Sequence, residues 1–293
     1  MPLFHKRLMN NDDFLQALQS EATTFSKAVA TDDGEWIIKG FIDIYQHIYT
    51  ISVDTKVVSK VLEILLLPAF TRFAERHNLK IEAPPQQNFY PDLSFTHLPT
   101  GNRFAVDIKS TYRASQTAVN GMTLGAFTGY FRQRESNKNT LYPYGSYLGH
   151  YVLGVIYSKC EDFEGELKQF DLSELTQIQS VVREFEFFAQ PKYRIASSRP
   201  GSGNTKNIGS VTKIEDLISG KGPFASLGEE HYNDYWMFYL TADMAREKGL
   251  PRPYSNLKTY SEYKSRGVDL LKAHEKEIRQ LAEDEDVIAE DEG

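Results

Sequence analysis

From Asp92 to Thr96 the chain alternates. Asp92, Ser94 and Thr96 fall on one face and Leu93 and Phe95 on the other, the period of a strand with one apolar side. Pro99-Thr100-Gly101-Asn102 follows with the residues of a turn. Beyond it Phe104, Val106 and Ile108 alternate with Ala105, Asp107 and Lys109, which predicts a second strand paired to the first. If the apolar set enters a core, Asp107 and Lys109 project together from the opposite face, and Asp92 joins them across the hairpin.

At Asp54 the period changes. Val57, Val58, Val61, Leu62, Leu65 and Leu66 have helical spacing behind an Asp54 N-cap, and Pro68 is expected to kink or divide that helix. Upstream, Phe14, Leu15 and Leu18 suggest a short helix between Asp12 and Lys27, and the run from Glu35 to Ser52 suggests strands around a turn at Gln46-His47. Downstream, Tyr112 to Asn120 is a polar loop and Tyr147 to Tyr157 is apolar enough for either a buried strand or a helix segment. Phe187 to Ile195 reads as a strand, Tyr232 to Leu240 as an aromatic helix that packs, and Val268 to Leu281 as one more helix. Glu161 to Glu186 is amphipathic but ambiguous between elements.

Composition changes this picture little. The chain has 293 residues, 41% hydrophobic and 25% charged, as expected of a soluble globular protein that could bury one large core or two modest ones. Its single cysteine, Cys160, excludes an internal disulfide and a cysteine-based metal site. The start of the chain lacks an apolar signal core and the run from Ile64 to Phe70 is too short for a bilayer, so the expected location is the cytoplasm, with no membrane partner. Charge is more informative by place than by sum. The net charge of −7 is carried by the acidic end after His274, which leaves a neutral body able to concentrate cations on one face.

The chemistry lies in the hairpin. Two adjacent carboxylates repel unless a proton or cation lies between them, and their oxygens suit a hard divalent ion such as Mg²⁺. Lys109, cationic near neutral pH, fits an electrostatic clamp on an attacking hydroxide or a phosphorus centre. Phosphodiester hydrolysis is the reaction these groups suggest. An acid-x-Lys pattern alone is unspecific, because Asp54-Thr55-Lys56, Glu166-Leu167-Lys168 and Glu262-Tyr263-Lys264 also satisfy it. Strand alternation and the upstream Pro91-Asp92 set Asp107-Ile108-Lys109 apart.

Other residues admit two readings. Glu63 is either the polar face of its helix or a carboxylate aimed at Asp92 and Asp107. Arg132, Arg134 and Lys138 are either a solvated face or phosphate contacts. His150 reads as a packing histidine. The Gly-rich stretch from Arg199 to Ser210 lacks the Gly-Lys-Ser/Thr ending of a nucleotide loop, so no nucleotide cofactor is expected. It is then a surface turn, or a loop thin enough to enter a DNA groove with Asn204 or Thr205 at base edges.

With these residues placed, the sequence resembles the EcoRV-type restriction endonucleases of the PD-(D/E)xK nuclease superfamily. The likeness rests on SVDTKV at Ser52 to Val57, PQQNFYPD at Pro85 to Asp92, DIKSTY at Asp107 to Tyr112, LGAFTGYFR followed by YP, and GSGNTKNIGS at Gly201 to Ser210. It continues through GKGPF at Gly220 to Phe224 and the Tyr-Trp segment near Tyr235, covering most of Gly40 to Arg266.

The resemblance implies an α/β fold of the PD-(D/E)xK restriction-endonuclease type, a central mixed sheet flanked by helices. Residues 1–266 would form one nuclease domain, with a small dimerisation element from about 35–52 and part of 150–190, followed by a C-terminal helix and acidic tail over 267–293. It further implies metal-binding carboxylates at Asp92 and Asp107, the supporting cation at Lys109, and an auxiliary carboxylate at Glu63. Gln86, Gln87 and Asn88 correspond to a loop approaching the minor groove, and Gly201, Ser202, Gly203, Asn204 and Thr205 to the loop reading the major groove. Thr55, Thr111 and Lys138 match DNA-approaching positions. Lys206 departs from the family, standing where a second hydroxyl residue is expected, and the hairpin is one residue shorter between its aspartates.

The implied protein is a homodimeric type II restriction endonuclease in a bacterial or archaeal cytoplasm. It would cut both strands of a palindromic duplex with Mg²⁺, or Mn²⁺ in its place, and GSGNT suggests a blunt cut in GATATC with 5′-phosphate and 3′-hydroxyl ends. A structure-directed repair or recombination nuclease and a non-catalytic DNA-binding protein are the competing expectations.

Overall fold

The computed structural model describes residues 9–160, 168–201, 206–252 and 254–266. In chain order the elements are α1 (Asn11–Ser20), α2 (Ala22–Val29), β1 (Gly40–Ile42), β2 (His47–Thr50), α3 (Thr55–Arg76), β3 (Leu79–Glu82), β4 (Leu93–His97), β5 (Arg103–Tyr112) and β6 (Thr123–Ala126). They continue with β7 (Gly149–Lys159), β8 (Gln169–Asp171), β9 (Val182–Pro191), α4 (Lys192–Ile195), β10 (Ala196–Pro200), β11 (Asn207–Ser210), α5 (Ile214–Ser219), α6 (Glu229–Met237), α7 (Ala242–Lys248) and α8 (Leu257–Ser265). The helix expected over Val268 to Leu281 and the acidic tail lie outside the described residues.

A five-stranded sheet, ordered β3-β4-β5-β7-β9, is the centre of this mixed α/β fold, and helices flank it. All its pairs are antiparallel except β5 with β7, so the sheet is mixed. Each face carries a core. Phe14, Phe25, Leu62 and Phe70 of the first three helices meet Phe95, Phe104, Val106 and Leu153 on one side. On the other, Ala105, Val152, Ile156 and Phe188 meet the aromatic residues Tyr144, Tyr235 and Trp236.

The expected hairpin is present, but it is buried on both faces. Ser94 and Ala105, paired across β4 and β5, are fully enclosed by the second core. The same enclosure explains why β7 showed no alternation: every residue from Gly149 to Tyr157 is buried. Gly154 on β7 lies opposite Phe188 on β9, and a side chain there would strike the ring, so the close approach needs glycine.

Helix α3 starts as its sequence predicts, with the Asp54 carboxylate accepting from the N–H groups of Lys56 (2.8 Å) and Val57 (3.2 Å). Pro68 does not divide it. Pro68 and Ile64 both face outward, so the Ile64 carbonyl that loses its partner meets solvent, and the 22-residue helix runs through. The N-terminal helical stretch, in contrast, is two helices, α1 and α2, meeting at Glu21.

Two smaller sheets flank the centre. In one, β2 lies between β1 and β8, so that the segment 35–52 pairs with a strand from within 150–190. In the other, β11 lies between β10 and β6 and fixes both ends of the Gly201–Lys206 connection. Among the described residues no helix is long and apolar enough to cross a membrane.

Candidate active site

The register Leu93↔Val106 places Asp92 opposite Asp107 at the end of the β4–β5 pair, on one face with Lys109. Short polar contacts hold the three. Asp92 Oδ2 accepts from the Ile108 N–H at 2.7 Å and from Lys109 Nζ at 3.4 Å, and the Asp92 N–H donates to Asp107 Oδ1 at 3.4 Å. Lys109 Nζ is 3.8 Å from Asp107 Oδ2. The peptide bond from Tyr90 to Pro91, just before Asp92, is cis.

The two carboxylates differ in surroundings. The Asp92 side chain keeps 28% of its surface exposed, whereas that of Asp107 keeps 4%. Burial pushes the Asp92 carboxyl up, only partly countered by Lys109. Burial acts in the same sense on Asp107, yet Lys109 and Lys192 outweigh it and hold that carboxyl below its usual range. Lys109, despite its burial, is raised by Asp107 and Asp92 and stays an ammonium.

Lys192 is the residue the sequence reading missed. It opens α4, its side chain is buried, and Nζ lies 3.2 Å from Asp107 Oδ2. Its Nζ also donates to Tyr90 Oη at 3.3 Å, and Tyr90 Oη lies 2.6 Å from His150 Nδ1. Burial lowers both Lys192 and His150, so His150 is a neutral imidazole whose Nδ1 accepts a hydrogen bond from the Tyr90 hydroxyl. A lysine within the apolar-flanked run Ala189-Gln190-Pro191-Lys192-Tyr193 was the available signal, since buried lysines are paired ones.

The opposed carboxylates offer two hard oxygen donors, which fits Mg²⁺, an ion held through one or two carboxylates with water and phosphate completing its shell. Among the described residues no three His, Cys, Asp or Glu side chains converge as a fuller metal cage. Glu63, on α3, pairs with Lys60 at 2.8 Å, and its charge is felt at Asp92.

The expected DNA-facing residues are distributed unevenly. Gln86, Gln87 and Asn88 are exposed in the loop that leads into Asp92, and Thr55 and Lys138 are exposed as well. Thr111 is not. It is buried, and its hydroxyl donates to the Asn120 carbonyl, because β5 is covered at that point. Arg132 and Arg134 are likewise drawn inward: Arg132 is fully buried and donates to the Tyr239 carbonyl, and Arg134 donates to Asn233 Oδ1 at 2.8 Å beside the Phe131 and Tyr144 rings. These two arginines tie the aromatic core together; Arg132 has no exposed surface to offer a phosphate, whereas Arg134 is half-buried. Ser202, Gly203, Asn204 and Thr205 lie outside the described residues. The base of their loop is fixed by the Gly201 N–H donating to the Asn207 carbonyl at 2.8 Å and the Phe127 N–H donating to the Lys206 carbonyl at 2.9 Å. An open groove of about 540 Å³ beside it is lined by Asn120, Met122, Arg199, Gly201 and Lys213 among others.

Comparison with known proteins gives the family. Residues 32–265 match the family described as "Restriction endonuclease EcoRV". The chain belongs to the EcoRV restriction endonuclease family. It is therefore a restriction endonuclease, a type II site-specific deoxyribonuclease. The type II restriction enzyme EcoRV of Escherichia coli is 33% identical over 243 residues, spanning 82% of this chain and 96% of that protein. A solved structure, the NlaIV restriction endonuclease, aligns over 81% of this chain and 92% of its own at 10% identity and a TM-score of 0.35, too loose a likeness to argue from. Within this EcoRV-family chain, Asp92, Asp107 and Lys109 are brought together by strand register alone, and Lys192 joins them from the far end of β9.

Proposed function

We propose that this EcoRV-family endonuclease works as a homodimer and hydrolyses both strands of a palindromic duplex with Mg²⁺, each subunit cutting one strand. The convergence of Asp92, Asp107 and Lys109 at one end of the β4–β5 ladder carries this reading. Asp92 and Asp107 would hold the ion. When bound, it supplies Lewis-acid polarisation of the scissile phosphate and a water of lowered pKa. Lys109, an ammonium at neutral pH, donates toward the charge that grows on the phosphate oxygens, and Glu63 acts as an auxiliary carboxylate beside Asp92. Mn²⁺, with the same preference for oxygen ligands, would substitute.

The remaining parts follow from the same reading. Gln86, Gln87 and Asn88 approach the minor groove, Gly201 to Thr205 read base edges in the major groove, and Thr55, Lys138 and Lys206 meet the backbone. Retention of GSGNT favours GATATC with a blunt central cut, leaving 5′-phosphate and 3′-hydroxyl ends. The small sheet of β1, β2 and β8 supports the dimer, because it exposes Ile44 (88%) and Tyr45 (75%) together with Phe41 and Ile42. Such a protein would work in the cytoplasm.

The test is digestion of a plasmid of known sequence with Mg²⁺, wild type against Asp92→Ala, followed by mapping of the ends. Discrete blunt fragments ending within GATATC, absent with the variant, are expected. Cutting at another palindrome would overturn the assigned site, and selective duplex binding without metal-dependent cutting would overturn the catalytic reading.

A further inference from the structure

We propose that Lys192 is a positioning residue of the hydrolytic site, one that balances the charge of Asp107 and makes divalent-ion loading depend on bound DNA. The proposal rests on the reading of Asp92 and Asp107 as the metal carboxylates.

Three observations meet at this ammonium. It is buried, with Nζ 3.2 Å from Asp107 Oδ2, so it fixes one oxygen of that carboxylate. It also donates to Tyr90 Oη at 3.3 Å and lies 4.4 Å from the centre of the Tyr90 ring. Tyr90 stands two residues before Asp92, so one lysine ties together the two segments that bear the carboxylates. An ammonium has only donors, so the Tyr90 oxygen accepts from Lys192, and the Tyr90 hydroxyl donates to His150 Nδ1 at 2.6 Å. His150 is itself stacked on Tyr144 with ring centres 3.8 Å apart. Every member of this row has one role, and the row ends in packed aromatic rings.

The charges explain why a second lysine is there. Asp92 and Asp107 face Lys109 and Lys192, two negative groups against two positive ones, and Glu63, whose charge reaches Asp92, is itself paired with Lys60 at 2.8 Å, so the cluster is close to neutral without a metal. A divalent ion entering a neutral cluster meets little net attraction, and the negative charge that draws it in is the scissile phosphate. Lys192 thus keeps the site weakly loaded until a duplex is seated. An ordinary partner that holds a metal ligand in place does the opposite, because its loss weakens metal binding.

The test uses the full-length protein. Mn²⁺ binding to wild type, Lys192→Met and Asp107→Ala without DNA is measured by electron paramagnetic resonance of the free ion, with single-turnover cleavage of a duplex at saturating Mg²⁺ alongside. Lys192→Met is expected to bind Mn²⁺ about tenfold more tightly without DNA and to cleave roughly 100-fold more slowly. Unchanged or weaker Mn²⁺ binding by a folded Lys192→Met overturns the proposal. If that variant does not fold, Tyr90→Phe decides: it keeps the ammonium and removes one anchor, so Mn²⁺ binding stays as in wild type while cleavage falls about tenfold, and wild-type cleavage by Tyr90→Phe overturns the positioning role. Asp107→Ala separates the two readings. Full Mg²⁺-dependent cleavage by that variant would sink the metal-carboxylate reading itself, whereas loss of cleavage there with an indifferent Lys192→Met would sink only the role of Lys192.

Discussion

Asp92 and Asp107 face each other across antiparallel strands in unlike surroundings: Asp107 is enclosed against the Lys192 ammonium at 3.2 Å, whereas Asp92 is partly open to solvent and shares only Lys109. Nothing but register brings them together, and nothing but neighbours makes them differ. The difference is measurable.

Replacing each by asparagine is expected to move stability in opposite directions. Burial raises the folded Asp92 carboxyl, so the stability it contributes is present below its unfolded pKa, about 3.9, and is lost as pH rises through the folded value. The folded Asp107 carboxyl is depressed by Lys109 and Lys192 against its burial, so its contribution is present above the unfolded pKa and lost as pH falls through the folded value. At pH 7 without metal, Asp107→Asn leaves a buried ammonium short of its partner and is expected to cost about 3 kcal/mol. Asp92→Asn is expected to stabilise by up to about 1 kcal/mol, a gain that vanishes near pH 4. Urea unfolding in EDTA at both pH values measures this. Equal destabilisation by the two variants would refute the asymmetry.

Lys109 separates catalysis from binding. Its ammonium pairs with both carboxylates and lies on the open side of the site, so Lys109→Met removes the donor proposed to meet developing charge without disturbing the sheet. Single-turnover cleavage is expected to fall by roughly 10³-fold, while duplex affinity without Mg²⁺ changes little. Equal losses in cleavage and in affinity would instead make Lys109 a DNA-binding residue.

Lys206 begins where the connection after Gly201 rejoins β11, and its backbone carbonyl is fixed by Phe127. A phosphate contact from its side chain releases counterions, so Lys206→Ala should weaken binding to every duplex alike and reduce the salt slope by about 1. A filter-binding salt titration reads both quantities, and an unchanged slope rules the contact out.

How much of this was legible in the sequence follows from which residues carry a local signal. The face shared by Asp92, Asp107 and Lys109 was readable because Leu93, Phe95, Phe104, Val106 and Ile108 keep the strand period through the turn. The N-terminus of α3 was readable because Asp54 caps it locally. Strand β7 stayed ambiguous, since burial of both faces leaves no polar phase. Arg132 looked like a surface cation because a charge in sequence says nothing of the aromatic shell that folds over it, here contributed in part by Tyr239, 107 residues away. Lys192 meets Asp107 only through the order of β5, β7 and β9, which no local pattern encodes. Local period predicts faces; the meeting of distant faces is a property of topology.

The same topology yields the last prediction. Strand β8 returns to pair with β2, and the resulting small sheet presents Phe41 and Tyr49, directly opposed across β1 and β2, with Ile44 at the turn 88% exposed. Burying one isoleucine is worth about 2 kcal/mol, and a two-fold interface counts each residue twice, so Ile44→Asp should weaken dimerisation by about 4 kcal/mol, or roughly 10³-fold. Because Ile44 contributes little to the core of its own chain, the melting temperature of the monomer should hold. Sedimentation at micromolar concentration is expected to show a folded monomer with defective double-strand cutting. If Ile44→Asp remains dimeric and fully active, this sheet is not the dimer contact, and the two active sites must be brought together by another face.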